Sequence, residues 1–125
     1  MRLKALLGSI LSGFACAAPL AISSPAYASS WPAQSKQELK DRIWFVSMAA
    51  GVKCAYRKGT IDADRYGQVI VYSIKKRGKE NIRPWSKSRN AYEAVDIVSR
   101  RLDEQCMAED REVEAALKSV FHLIR

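Results

Sequence analysis

Three cysteines, one histidine and a run of lysines and arginines are the residues of this chain whose types could do chemistry. Cys16 lies in a leading segment that bears the marks of export, so Cys54 and Cys106 are left with each other. An exported chain meets an oxidising compartment, and two cysteines allow one intramolecular pairing. The expected chemistry is therefore structural, a Cys54–Cys106 disulfide. Closing a loop of that length is worth about 4 kcal/mol, less any strain in the native state.

The remaining candidates for chemistry fare poorly. His122 stands alone near the chain end, with no nucleophile or orienting carboxylate at useful spacing, and is expected on a solvated helix face. Asp62-Ala63-Asp64-Arg65-Tyr66-Gly67 imitates the opening of a calcium loop. Its fifth and twelfth positions are Tyr66 and Ser73, so the bidentate acid is missing and helix capping explains the aspartates better. A Cys/His zinc site lacks ligands once the cysteines pair. No catalytic residue, cofactor or metal is expected, and the chain reads as a non-enzyme.

Binding is the remaining chemistry. The segment 75–89, KKRGKENIRPWSKSR, contains Lys75, Lys76, Arg77, Lys79, Arg83, Lys87 and Arg89 against the single acid Glu80, and Trp85 sits among them. Arginine beside tryptophan is a mixture enriched at interaction hot spots. Gly78 and Pro84 interrupt regular structure, so these eight residues are expected on a loop, where binding residues often lie. They form the candidate partner-binding set. The competing reading is a solvated connector whose tryptophan tucks into the fold. Asp103, Glu104, Glu109, Asp110, Glu112 and Glu114 gather later in the chain, a bipolar pattern equally suited to self-association.

The elements that must position these residues read as helices. Ser35-Lys36-Gln37-Glu38 is a capping box, and Gly59 supplies a left-handed stop behind Arg57 and Lys58. Between them IWFVSMAAGVKCAY is apolar on almost every side, which marks a helix buried among others. Asp41, Arg42 and Lys53 argue that it belongs to a water-soluble bundle and not to a bilayer. A second helix is expected from the caps at Thr60 or Asp62 to Gly78; its Val69–Tyr72 run could suit a strand, but nothing else in the chain would pair with it. A third is expected from Asn90, or earlier from Ser86 or Ser88. Its stripe of Ala91, Val95, Val98, Leu102 and Cys106 places Cys106 on a helix face. The last, from Glu109 or Asp110, has Val113, Ala116, Leu117, Val120 and Ile124 on one side. The expected fold is all-α: a small four-helix antiparallel bundle of an exported protein, stapled by one disulfide.

Residues 1–28 carry the targeting signal. Arg2 and Lys4 precede a small-residue apolar stretch, and Ala26-Tyr27-Ala28 fits a signal peptidase site. Cleavage there leaves an extended leader at 29–34, where Pro32 opposes helix, and one helical domain at 35–125. The mature chain then has no transmembrane segment and resides in the periplasm or an equivalent extracytoplasmic space. Arg2 and Lys4 account for two of the net charge of +8, so the remainder carries +6. That balance favours anionic partners, with nucleic acid last among them because of export.

Small exported helical proteins with one disulfide include acid-stress chaperones and immunity proteins against amidases delivered by type VI secretion. Trp44 and Cys54-Ala55-Tyr56, with Cys106 followed by Glu112-Val113 and a short amphipathic helix, are faintly similar to the latter. These residues are unspecific, and no family is assigned. The functional expectation is an exported binding protein engaging an acidic protein surface through the basic segment, an immunity or inhibitor protein being one concrete form. The alternative is an envelope-associated stress or structural protein adhering to anionic lipid or polymer. Protein recovered from the exported fraction should begin at Ser29, which N-terminal sequencing reads directly.

Overall fold

The computed structural model describes residues 32–125, so the expected targeting segment lies outside the described residues. Those residues form six α-helices and one 3-10 turn, with no strand among them. In chain order these are α1 (Lys36–Arg57), α2 (Ala63–Lys76), the 3-10 turn Glu80–Ile82, α3 (Arg83–Ser86), α4 (Arg89–Ser99), α5 (Asp110–Ser119) and α6 (Phe121–Ile124). The long helix α1 is the hub: the turn and the helices α2, α4, α5 and α6 pack against it, and the one-turn α3 reaches it through Trp85.

Local chemistry explains the helix ends. Ser35 caps α1 by accepting the Glu38 N–H at 3.0 Å. The Glu38 carboxylate reaches back one residue further than in a standard capping box, to the Gln34 N–H at 3.1 Å. At the other end Gly59, at φ 81°, takes the left-handed conformation that closes the turn. Asp62 caps α2 through the Arg65 N–H at 2.8 Å, so this aspartate serves the helix terminus. Gly78, at φ 66°, follows that helix. The third long helix begins at Ser88, one of the two earlier starts expected, with its hydroxyl accepting the Ala91 N–H at 3.1 Å.

Alanines set the central packing. Phe45, Val46, Ala49 and Ala50 of α1 meet Ala91, Ala94, Val95 and Val98 of α4, and all eight are buried. Small side chains let helix axes approach closely, so these two helices make the main contact of the fold. Ala116 and Val120, with Leu123 and Ile124 of α6, seal one side. Helix α2 gives the core little. Ile74 is its single buried residue, while Val71 is 45% and Tyr72 61% exposed.

Two expectations require correction. The third helix does not continue to Cys106 but ends at Ser99. Beyond it the Asp103 carboxylate accepts the N–H groups of Gln105 and Met107 at 2.8 and 3.0 Å, a turn that competes with helix for those donors. Cys106 lies in that turn at φ 60°, left-handed and costly for a residue with a side chain. The disulfide to Cys54 does form, with Cα atoms 5.7 Å apart, but it ties α1 to a loop and not to a helix face. The last helical segment is likewise divided. Ser119 turns its hydroxyl back to the Ala116 carbonyl at 2.6 Å, and the chain breaks at Val120 before α6 resumes.

The cross-link closes a loop spanning 52 positions and immobilises an otherwise strained turn. Replacing both cysteines with serine should lower the unfolding free energy by up to about 4 kcal/mol. Urea denaturation checks this, and reductant should bring the parent chain to the same lowered midpoint.

Candidate functional site

Segment 75–89 is more ordered than a loop. Lys75 and Lys76 form the last turn of α2, and Arg77 caps it. Lys79 precedes the 3-10 turn, Arg83 opens α3, Lys87 caps α3 and Arg89 opens α4. The short α3 tolerates Pro84 because it occupies a first-turn position, where its missing N–H has no partner to lose.

The eight candidate residues do not converge on one site. Trp85 is 2% exposed, so the indole expected among the surface cations belongs to the core. It meets Phe45 edge-to-face at 6.1 Å and lies beneath the Arg42 guanidinium, 4.8 Å from the ring centre. Lys79 is drawn inward as well. Its ammonium donates to Asp41 Oδ1 at 2.7 Å, and the same carboxylate accepts from Gln37 at 2.9 Å and Asn81 at 3.2 Å. Arg83 pairs with Glu80 through two N–O contacts of 2.9 and 3.1 Å. Arg77 stands over the Trp44 ring at 5.5 Å. Lys75, Lys76, Arg77, Lys87 and Arg89 have no carboxylate partner among the described residues and face solvent.

Asp41 and Arg42 were expected as solubilising charges and are instead 4% and 3% exposed. Burial pushes the Asp41 carboxyl up, but hydrogen bonds from Lys79, Gln37 and Asn81, with the lysine's charge, outweigh it and hold the group below its ordinary value. Arg42 donates to Glu38 at 2.7 Å and to the Ile124 carbonyl at 2.8 Å.

A groove of about 340 Å³ opens beside the basic segment, between α2 and α4. Phe45, Ile70, Ile74, Ala91 and Val95 supply its apolar surface; Arg83, Ser86 and Lys87 edge it. Tyr66 and Tyr92 also line it, and burial raises the Tyr66 hydroxyl, with Tyr92 and Tyr56 adding to the effect, so that phenol stays neutral. Gly67 lies in the wall, and a Cβ added there would meet nothing within 4 Å. No carboxylate lines the groove.

In the sequence Gly67 reads as a position in a calcium-like loop, and no groove is inferred there. The helix-interior glycine was the available signal, because glycine there costs about 1 kcal/mol relative to alanine and calls for a reason. His122 is exposed and shares a shallow hollow with Ser35, whose hydroxyl accepts from Glu38. Among the described residues no cluster of three His, Cys, Asp or Glu side chains is placed to hold a metal ion. No helix among them is long and apolar enough to cross a membrane.

No protein-family model, curated protein or solved structure matches this chain. Function must be argued from these surfaces.

The Asp41 cluster generates a pH test. A carboxyl whose folded pKa lies below 3.8 stabilises the fold fully above that value and loses its contribution as pH falls toward the lowered one. Asp41→Asn should cost about 1–3 kcal/mol at neutral pH. It should also flatten the loss of stability below about pH 4. Urea unfolding across that range decides, and an unchanged acid limb would remove Asp41 from this role.

Proposed function

We propose that the protein is exported, with residues 1–28 removed, and that it is a non-enzymatic binding protein holding an acidic protein partner. In this reading its four longer helices constitute a small antiparallel bundle, stapled by the disulfide, that displays the basic segment. Inhibition of a secreted enzyme is one form such a task would take.

One observation carries the reading. Five cations of the segment, Lys75, Lys76, Arg77, Lys87 and Arg89, are exposed and have no carboxylate partner among the described residues. Lys79, by contrast, is engaged by the buried Asp41, and Arg83 is paired with Glu80 at the surface. The segment is therefore split between cations that build the fold and cations left over for an external anion. Unpaired charges on an anchored frame steer an oppositely charged partner and lose that attraction as salt screens them. Anchoring also lowers the ordering cost of binding.

The test uses the disulfide-bonded mature chain, immobilised and challenged with proteins from the exported fraction of its host. An acidic protein should be retained at low ionic strength and released by high salt. Lys75→Glu, Lys76→Glu and Arg77→Glu together should weaken retention by about tenfold or more, chiefly through slower association. Retention indifferent to both salt and the triple change would exclude the basic surface. Pelleting with anionic vesicles at low salt, without any retained protein, would favour the envelope-adhering alternative.

A further inference from the structure

We propose that the groove between α2 and α4 receives an amphipathic helix of the acidic partner. Its apolar stripe would lie on Ile70, Val71 and Tyr92, above a floor of Phe45 and Val95, and its flanking carboxylates would face Lys53 and Lys87. The inference rests on the reading above and adds the form of the partner's binding element.

Four features argue for a helix of this chemistry. The groove is walled by two helices, and the wall from Tyr66 to Ile74 runs about 12 Å, roughly two turns of a docked helix. Apolar surface continues past the groove onto the rim, where Val71, Tyr72 and Tyr92 are exposed, so the occupant is broader than a small ligand. Tyrosines on a rim are typical of protein-binding surfaces. Gly67 leaves the wall low where an incoming helix would approach, and a Cβ added there would enter open space.

The fourth feature is charge. Lys53 stands over the Tyr92 ring at 5.0 Å and Lys76 over the Tyr72 ring at 5.7 Å, while Lys87 edges the groove itself. None of the three has a carboxylate partner among the described residues. An apolar trough edged by Lys87, with Lys53 and Lys76 over the neighbouring tyrosines, is complementary to an apolar stripe bordered by glutamates, the helix-in-groove mode of recognition.

The probe is a fluorescein-labelled peptide of about 14 residues with leucines at i, i+3, i+4 and i+7 and glutamates beside them. Its controls are a scramble of the same composition and a version with lysine for glutamate. Binding to the full mature chain is followed by anisotropy, and peptide helicity by circular dichroism. The amphipathic peptide should bind and become helical, about tenfold or more tighter than either control. Gly67→Leu should melt no lower than the parent, since leucine favours helix over glycine, yet bind about tenfold more weakly because it fills the groove. Val71→Asp, on the exposed rim, gives the same reading should Gly67→Leu fail to fold.

Equal binding by Gly67→Leu and Val71→Asp overturns the inference, as does the absence of binding by any peptide. Equal affinity for the scramble overturns it too, while leaving the basic surface as an acidic-partner site. Dodecanoate saturating the groove where the peptide does not would reassign it to anionic amphiphiles. A parent dimer that Gly67→Leu dissociates would reassign it to a second copy of this chain.

Discussion

Burial of Asp41 and Arg42 on the central helix is the constraint on which the rest depends. Adjacent helical residues point about 100° apart, so two neighbouring charges can address two different parts of the chain. Asp41 gathers Lys79 and Asn81, and Arg42 reaches the Ile124 carbonyl while covering Trp85. Leaving either charge unmatched inside the protein would cost several kcal/mol, so both sets of partners must be in place together. The basic stretch of the chain is thereby fastened to its central helix. Ile82 and Trp85 are carried into the core with it.

The two ends of α1 are secured by different means. Near its start the fastening is ionic and hydrogen-bonded; near its end it is the covalent bond from Cys54 to Cys106. Cys106 is held left-handed in a turn organised by Asp103, whose carboxylate takes two backbone donors that a longer helix would have used. The disulfide thus secures a loop that is not helical and that hydrophobic burial, chiefly of Leu102, anchors only in part.

Helix α2 contrasts with this. It has good caps but only Ile74 fully buried, so packing holds it less firmly than α1 or α4. Regions with few buried apolar contacts occupy the low-stability end of a fold, and binding surfaces are commonly drawn from there. Its incomplete packing against α4 is what leaves the groove, and the basic segment lies at that groove's edge. The cations divide accordingly. Lys79 and Arg83 have carboxylate partners, whereas Lys75, Lys76, Arg77, Lys87 and Arg89 remain available to solvent.

Much of the helical framework was legible from sequence because it depends on contacts within a few residues. Ser35, Asp62 and Ser88 cap donors three positions ahead, and Gly59 and Gly78 accept the left-handed backbone that follows a helix. The disulfide was legible because only one pairing remained. The burial of Asp41 and Arg42, the inward position of Trp85, the early end of α4 and the groove were not. Asp41 meets Lys79 across 38 positions and Arg42 meets Ile124 across 82. At such separations residue type says which partners are chemically acceptable, and only the packed chain says which are within reach. The sequence by itself determined where the long helices start, where the first two stop and which cysteines pair. Tertiary structure decided which charges are consumed in holding the fold and which stay free to bind, because that division is set by distances between segments remote in the chain.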